Sequence, residues 1–204
     1  MNESHCEPLT ESAMASDPLA QFGAWFEKAS EVVRLPEAMA LATASPDGRP
    51  SLRMVLMKRW DGDGFVFHTH YQSPKARDLT VNPVAALLFH WDPLGRQVRI
   101  VGTVEKVSAQ ESDRYFATRP RGGQIGAHAS EQSQPIESRA ALDEKVAALT
   151  ATYEGGPVPR PESWGGFRLR AESYEFWQSR DDRLHDRVRY TRSGDSWTME
   201  RLQP

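Results

Sequence analysis

The stretch AMALATASPDGRPSLRMVLMKRWDGDGFVFHTH, residues 38–70, decides the fold. It divides into three strand-like segments, 38–44, 51–59 and 64–70, separated by the turn signals Ser45-Pro46-Asp47-Gly48 and Asp61-Gly62-Asp63-Gly64. Turns this short join neighbouring strands in opposite directions. The stretch therefore predicts three hairpin-linked antiparallel strands.

Helices and further strands flank this stretch. Asp17-Pro18 resembles an N-cap followed by proline at the first helical position, and the apolar spacing that follows predicts a helix over 18–34. Similar signals predict three more helices: from Ser73-Pro74 to about residue 81, from the Ser108/Glu111 capping box to about residue 118, and over 138–153. They also predict strands over 84–91, 96–107 and 165–178 and a hairpin over 187–202. Residues 119–136 are a Gly-, Gln- and Ser-rich loop with a short helix near 125–129. The strands are not interleaved with long helices, so we predict an α+β, mainly β fold: an antiparallel barrel with peripheral helices.

The bulk composition indicates one domain with an appended arm. The chain has 204 residues and a formal charge of −3, which does not favour a nucleic-acid or membrane surface as partner. Residues 1–16 lack periodicity and predict a flexible arm, and 17–204 predict a single domain. Cys6 is the only cysteine, and no secretory leader or membrane-spanning run is apparent. These features predict a cytoplasmic protein.

The familiar phosphate- and metal-binding motifs are absent from the sequence. There is no G-x-G-x-x-G, G-x-x-x-x-G-K-[ST], H-E-x-x-H or G-x-S-x-G. His68 and His70, two residues apart on one strand face, are typical of partly exposed strand histidines rather than metal ligands. We expect no metal site, and a phosphorylated ligand must bind through other residues.

Basic residues near the first strands are candidates for anion binding. Arg53 and Lys58 lie in an otherwise apolar strand, where a charge costs desolvation free energy unless an anion meets it. Strand alternation places them on opposite faces, so they should not bind the same group. An equally good interpretation is that Arg53 forms a structural ion pair and that Lys58 is solvated at the strand end. Lys75 follows Ser73-Pro74 at a helix start, which suits a phosphate monoester, although a solvated lysine near a cap gives the same pattern.

Two further clusters lie in the second half of the chain. Tyr115 and Arg119, four residues apart, share a helix face and could clamp a phosphate, or Arg119 could interact only with the helix dipole. Arg183, His185 and Arg187 alternate along an extended segment after two aromatic residues. Such side chains on one face repel one another unless an anion or a π-system lies there, so we interpret them as a site.

Eight segments resemble pyridoxamine 5′-phosphate oxidases, in order and at matching intervals. They are RMVLMK (53–58), SPKARDL (73–79), RQVRIVG (96–102), YFATRPRGGQIGAHASEQS (115–133), WGGFRL (164–169), EFWQ (175–178), RLHDR (183–187) and ERLQP (200–204). The resemblance covers about residues 17–204 and implies an FMN-binding split β-barrel that forms a homodimer, with FMN at the dimer interface. It also implies oxidation of pyridoxine or pyridoxamine 5′-phosphate to pyridoxal 5′-phosphate by dioxygen, with release of hydrogen peroxide.

The resemblance implies roles for individual residues. FMN would contact Arg53, Met54, Val55, His68, Thr69, Lys75, Gln97, Gln132, Ser133, Trp177 and Arg187. The substrate phosphate would be held by Lys58, Tyr115 and Arg119, with Gly123 lining the same pocket. Arg183 and His185 would bracket the pyridine ring as the catalytic pair, polarising the ring and helping a proton leave the C4′ substituent.

Some positions depart from the pattern of that family. Residues 9–16 lack the arginine and tyrosine that usually precede Asp-Pro in the family. Pro74 stands where the family often has a basic residue, Gly123 where it frequently has serine, and His128 where it commonly has tryptophan. The missing arm residues favour an alternative, a related flavin oxidase of the phenazine-biosynthesis branch acting on a dihydrophenazine. The intact set of Lys58, Tyr115 and Arg119 argues against it, because that set suits a phosphate. A flavin- or vitamer-binding protein without turnover is the second alternative.

Overall fold

A computed structural model describes residues 8–204, so Cys6 and the first part of the predicted arm lie outside the described residues. The eight strands are β1 (Ala38–Ala44), β2 (Pro50–Asp61), β3 (Gly64–His70), β4 (Val84–Trp91), β5 (Arg96–Lys106), β6 (Trp164–Gln178), β7 (Asp186–Ser193) and β8 (Ser196–Arg201). The five α-helices are α1 (Pro18–Val32), α2 (Pro74–Val81), α3 (Ala109–Ala117), α4 (Arg121–Ala129) and α5 (Arg139–Thr152). Short 3-10 turns lie at Glu11–Ala13, Asp92–Leu94 and Asp181–Arg183.

Strands β1 to β6 close an antiparallel barrel in the order β3-β2-β1-β4-β5-β6, with β6 returning to β3. The long strand β6 makes this closure possible, because β5 pairs with residues 167–178 along one of its edges. Along the other edge β3 pairs with residues 164–169 and β7 with residues 173–178. The β7–β8 hairpin thereby extends the sheet beyond the barrel. The prediction of a mainly β antiparallel barrel with peripheral helices is confirmed.

The predicted elements agree with the structure to within about two residues at their ends, except between residues 119 and 136. There α4 begins at Arg121 and runs for nine residues, whereas the sequence predicted a loop with a helix near 125–129. Its glycines have low helix propensity. The helix forms nevertheless, because Ile125 and Ala127 are buried in a small core with Phe116 and Trp164.

The barrel core is rich in aromatic side chains. Phe22 from α1 is fully buried, and its ring centroid lies 4.9 Å from Phe65, 5.1 Å from Phe89 and 5.2 Å from Trp60, all in edge-to-face arrangements. Such pairs add to the free energy of apolar burial. The amphipathic helix predicted over 18–34 is thus attached to the barrel through its apolar face.

Residues 9–15 lie against the barrel. The Leu9 side chain is buried, and its main-chain N–H donates to Oδ2 of Asp186 at 3.1 Å. Arg201 of β8 forms an ion pair with Glu11 at 2.8 Å. The described part of the predicted arm therefore contacts the β7–β8 hairpin, and the division of the chain at residue 16 stays a prediction.

Candidate functional site

Most of the predicted anion-binding residues line one cavity of about 440 Å³. Its walls come from β2, β3, α2, the end of α3, the loop after α4 and the start of β6. The lining residues are Arg53, Met54, Val55, Leu56, Lys58, His68, Thr69, Lys75, Tyr115, Arg119, Gln132, Ser133 and Trp164. Of these, sequence reasoning missed Leu56 and Trp164, which carry no charge and look like ordinary core residues.

A β-bulge in β2 brings Lys58 to the same cavity as Arg53. Met57 pairs with Phe67 and Arg59 with Val66, so Lys58 is the extra residue in β2 at that point. A bulge interrupts the alternation of side chains along a strand. The prediction that Arg53 and Lys58 point to opposite faces assumed a regular strand and is wrong, since both line this cavity.

Lys75 is a buried cation surrounded by neutral oxygen atoms. Its side chain is 8% exposed, and Nζ donates to Oε1 of Gln132 at 2.9 Å, Oγ1 of Thr69 at 3.3 Å and Oγ of Ser73 at 3.4 Å. Burial, with a smaller contribution from the nearby charge of Arg53, lowers the pKa of Lys75. A buried charge without a counterion is costly. This pocket therefore fits an anionic group such as a phosphate.

Arg53 is held in place by a chain of hydrogen bonds. Its Nη1 donates to Oγ1 of Thr43 at 2.8 Å and to the Leu41 carbonyl at 3.1 Å, while Thr43 in turn donates to Oδ2 of Asp78 at 2.7 Å. The predicted alternative, a direct structural ion pair, is not what forms, because Asp78 reaches Arg53 only through Thr43. Burial lowers the pKa of Arg53, and Asp78 opposes this effect. Thr43 and Asp78 were missed because their side chains meet Arg53 only after β1, β2 and α2 assemble.

A cluster of three nearly parallel rings forms the other side of the cavity. The His68 ring centroid lies 4.1 Å from Tyr115 and 5.1 Å from Trp164, with interplanar angles of 26° and 16°. The Arg119 guanidinium lies 4.6 Å from the Trp164 centroid, and its Nη1 is buried without a hydrogen-bond partner among the described residues. Burial raises the pKa of Tyr115, so the phenol keeps its proton. Tyr115 and Arg119 thus present a donor and a fork-shaped cation to one space.

Gly123 lies beside Arg119 but is not among the residues that line the cavity, so its role in the substrate pocket stays a prediction. A Cβ added there would lie 3.4 Å from Nη2 of Arg119, which is ordinary van der Waals contact. Arg119 itself lies just beyond α3, and its main-chain N–H donates to the Phe116 carbonyl at 3.1 Å. The shared helix face predicted for Tyr115 and Arg119 is therefore preserved by the last helical turn.

The two strand histidines differ in burial, since His68 is half-buried and His70 is buried. Both ring nitrogens of His68 are buried and have no hydrogen-bond partner among residues 8–204. Burial, followed by the charges of Arg119, Lys58 and Arg59, lowers the pKa of His68 to about 4. His70 is also buried, and its Nε2 lies 3.0 Å from Oγ of Ser163. The expectation of partly exposed histidines is confirmed for His68, whose side chain is half-buried, and is wrong for His70, which is buried.

Replacing His68 with phenylalanine is expected to stabilise the ligand-free protein by about 1–2 kcal/mol. The substitution keeps the stacked ring and removes two buried polar atoms that lack partners. The folded-state pKa lies below the unfolded value of about 6.5, so the unfolded chain binds a proton first and the wild type loses stability as the pH falls from about 6.5 towards 4. Urea unfolding at about pH 7 and about pH 5 would show a smaller difference for the variant.

The exposed His90 of β4 provides the control for this prediction. His90→Phe should leave both the stability at neutral pH and its pH dependence near wild type. Equal pH dependence of the wild type and His68→Phe would contradict the prediction.

The remaining predicted cofactor residues line a second cavity of about 320 Å³. It is bordered by Leu88, Gln97, Arg99, Glu175, Trp177, Arg187 and Pro204. The buried Glu175 carboxylate pairs with Arg187 at 2.8 Å and also with Arg99. Within one protomer, the structure therefore separates Gln97, Trp177 and Arg187 from the residues of the first cavity.

Arg183 and His185 lie in the turn between β6 and β7, outside both cavities. The prediction of one extended segment with three side chains on one face is wrong for Arg183, whose backbone φ is +61° within a 3-10 turn. Asp182 has a φ of +54°, and Ser133 in the first cavity has +69°. These three are the only non-glycine residues with positive φ among residues 8–204. Such strain is often retained at functional sites.

No helix within residues 8–204 has the length and apolar character needed to cross a membrane. In that same part of the chain, no cluster of three or more His, Cys, Asp or Glu side chains could hold a metal ion.

Two families of known sequences match the chain. Residues 26–153 match the family described as pyridoxamine 5′-phosphate oxidase, and residues 164–204 match the pyridoxine 5′-phosphate oxidase C-terminal dimerisation region. A pyridoxine/pyridoxamine 5′-phosphate oxidase of Rubrobacter xylanophilus is 55% identical over 197 residues, which cover 96% of this chain and 91% of the relative. Another of that name, from Gluconobacter oxydans, is 51% identical and covers 94% and 96% of the two chains.

Solved structures also resemble this chain. PhzG of Burkholderia lata 383, solved in complex with tetrahydrophenazine-1-carboxylic acid, superposes with a TM-score of 0.91 at 36% identity, covering 97% of this chain and 98% of that one. An FMN-binding protein of Nostoc punctiforme related to pyridoxamine 5′-phosphate oxidase has a TM-score of 0.75 at 17% identity and covers 94% and 100%. The second likeness concerns the fold alone.

Proposed function

Because the chain belongs to the pyridoxamine 5′-phosphate oxidase family, whose cofactor is FMN, we propose that it converts pyridoxine or pyridoxamine 5′-phosphate to pyridoxal 5′-phosphate. Dioxygen is the acceptor and hydrogen peroxide the second product. One observation carries the proposal: the first cavity holds two groups of cations, Arg53 with Lys75 and Lys58 with Arg119, and none forms an ion pair with a carboxylate among residues 8–204. Two groups of cations are suited to bind the phosphates of two different molecules.

We assign the group around Lys75 to the FMN phosphate. Lys75 and Arg53 supply charge there, and Gln132 and Thr69 supply polar contacts. The start of α2 adds main-chain N–H groups and the positive end of the helix dipole. When bound, FMN supplies the redox chemistry, and the protein supplies binding, orientation and charge.

We assign the group around Arg119 to the substrate phosphate. The buried, unpartnered Nη1 of Arg119 and the protonated phenol of Tyr115 are donors, and Lys58 adds a third cationic contact. Fixing the phosphate in this way would orient the pyridine ring relative to FMN, which is the expected source of much of the rate enhancement. Arg183 and His185 would complete the site from the β6–β7 turn.

We further propose that the active form is a homodimer in which a second copy supplies Gln97, Trp177 and Arg187 to the FMN site. These residues line a cavity separate from the one that holds Lys75 in the same protomer. On β2, beside the first cavity, Leu52 and Met54 are 70% and 64% exposed, which is unusual for large apolar side chains in a strand. The match to a dimerisation region over 164–204 supports the same arrangement.

Leu52→Asp is therefore expected to shift the protein towards monomer and to weaken FMN binding at least about tenfold, because a charge at a buried apolar interface is costly. Sedimentation velocity and flavin titration would measure the two effects. Val32→Asp, at an apolar position of α1 that is 52% exposed, is the control and should change neither. A Leu52→Asp protein that remains dimeric with normal FMN affinity would contradict the proposed interface.

The second candidate function is oxidation of a dihydrophenazine. The structural similarity to PhzG at 36% identity favours it. The cations around Arg119 favour a phosphorylated substrate instead, since a dianion can accept from Lys58, Tyr115 and Arg119 together.

Anaerobic reduction of the bound flavin distinguishes the candidates. The FMN-loaded protein would be mixed with pyridoxine 5′-phosphate, pyridoxamine 5′-phosphate, unphosphorylated pyridoxine or a dihydrophenazine carboxylic acid, and bleaching followed by absorbance. We expect rapid bleaching by a phosphorylated vitamer and peroxide release when air is admitted. Bleaching by the dihydrophenazine alone would overturn the proposed substrate, and bleaching by none would indicate a binding protein.

A further inference from the structure

A network of ion pairs joins β2, the first turn of α3 and β6 beside the first cavity. Arg168 of β6 is its buried centre: the side chain is 7% exposed, and its guanidinium nitrogens lie 3.0 Å from Asp61 and 3.2 Å from Glu111. Arg59 of β2 contacts the same two carboxylates, at 2.9 Å and 2.8 Å. An isolated exposed ion pair contributes little, but several pairs in one network can hold three elements in a fixed arrangement.

Two members of the network are close in sequence to proposed ligands of the substrate phosphate. Arg59 directly follows Lys58, the extra residue of the β-bulge in β2. Glu111 lies one helical turn before Tyr115 in α3. The Arg59–Glu111 ion pair therefore connects the strand that carries Lys58 to the helix that carries Tyr115. Neither Arg59 nor Glu111 is among the residues that line the first cavity.

Lys58 depends on such a support because of the bulge. A bulged residue is left unpaired in the strand ladder, so its direction depends on how the next residue is held. The Lys58 side chain is exposed and forms no ion pair with a carboxylate among residues 8–204. Arg59, in contrast, pairs with Val66 of β3 through its main chain and is fixed by two carboxylates through its side chain.

We propose that the Arg59–Glu111 ion pair positions the ligands of the substrate phosphate. It sets the distance from Lys58 on β2 to Tyr115 and Arg119 at the end of α3. A phosphate monoester that accepts from both sides at once requires a fixed spacing between them. The inference rests on the proposed function and assigns a specificity-determining role to two positioning residues outside the cavity.

The two partners carry opposite charges, which separates positioning from long-range electrostatics. Arg59→Gln removes a positive charge and Glu111→Gln a negative one. A purely electrostatic influence on a phosphate dianion would therefore weaken binding in the first variant and tighten it in the second. Loss of positioning weakens binding in both. Arg168 keeps Asp61 and Asp63 as partners in either variant, at 3.0 Å and 3.3 Å, so the fold should persist.

Calorimetric titration of the FMN-loaded protein with 4-deoxypyridoxine 5′-phosphate would measure binding without turnover, because its C4′ methyl group carries no alcohol or amine to oxidise. We expect both variants to bind it about three- to tenfold more weakly than wild type, less than for loss of a whole charge-assisted hydrogen bond. With pyridoxine 5′-phosphate as substrate, KM should rise by a similar factor while kcat stays within about twofold of wild type. FMN affinity should not change.

The control is Glu105→Gln, which breaks an exposed ion pair of 2.7 Å between β5 and Arg170 of β6 and should change none of these quantities. A double-mutant cycle then tests whether Arg59 acts through Lys58. In a Lys58→Met background, adding Arg59→Gln should weaken binding no further, since the group to be positioned is gone. A full additional loss there, or tighter binding by Glu111→Gln, would overturn the inference.

The outcomes separate this inference from the proposed function. Vitamer oxidation by the wild type together with opposite changes in the two variants overturns only the inference. Binding of the analogue that weakens in both variants, without oxidation of either vitamer by the wild type, overturns the proposed function and supports the positioning role. A wild-type protein that does not bind the analogue overturns both.

Discussion

Replacing Lys75 with methionine is expected to weaken FMN binding by about 100-fold and, at the same time, to stabilise the FMN-free protein. The loss follows from removing a charged donor to the proposed phosphate, which contributes about 2–3 kcal/mol. The gain follows from the buried position of Nζ, which has only the neutral oxygens of Thr69, Ser73 and Gln132 as partners. Fluorescence titration with FMN and urea unfolding of the FMN-free protein would measure the two changes.

The opposite signs make this experiment informative. If Lys75 served only to stabilise the fold, its removal would lower the stability. If it binds an anion, its removal lowers the affinity for FMN and raises the stability of the FMN-free protein. Lys28→Met, at an exposed position on α1, removes the same charge and should change neither quantity. Unchanged FMN affinity of Lys75→Met would refute the phosphate site at the start of α2.

Replacing Arg183 with alanine is expected to lower kcat by about 100- to 1,000-fold while leaving FMN affinity unchanged. Arg183 lies outside both cavities, so its removal should not disturb the cofactor residues. Its left-handed backbone indicates that the turn is held in a costly conformation, which is consistent with a placed catalytic side chain. Single-turnover flavin reduction by pyridoxine 5′-phosphate would measure the effect on the chemical step.

The neighbouring Leu184 supplies the matched control, because its side chain is 67% exposed in the same turn. Leu184→Ala should retain nearly all of the flavin-reduction rate. Arg183→Lys should recover only part of it, since an ammonium group keeps the charge and lacks the planar fork of the guanidinium. Equal flavin-reduction rates for Arg183→Ala and wild type would show that Arg183 is not a catalytic residue.

The main gap in predicting the elements from sequence was α4. Turn residues and strand alternation are local properties, so the segment from β1 to β3 could be predicted from its own composition. The glycines of α4 favour a loop locally, and the helix exists because Ile125 is buried against Trp164 and Phe116, which come from other parts of the chain.

The site shows the same division at the level of side chains. Lys75 and Tyr115 could be identified from the sequence because their signals, a helix start and helical spacing, depend on neighbouring residues. The sequence did not predict the bulge at Lys58, nor the hydrogen bonds by which Asp78 and Thr43 support Arg53. Each of these features depends on how separate strands and helices meet.

The sequence by itself determined the strand order along the chain, the class of fold and the types of charged residue available for phosphate binding. Only the tertiary structure decided which of these cations share a cavity and that Gln97, Trp177 and Arg187 lie apart from Lys75 within one protomer. The physical reason is the distance along the chain over which each interaction acts. Turn propensity and periodicity act between residues a few positions apart, whereas burial, electrostatic fields and hydrogen bonds between distant segments are set by the packing of the whole barrel.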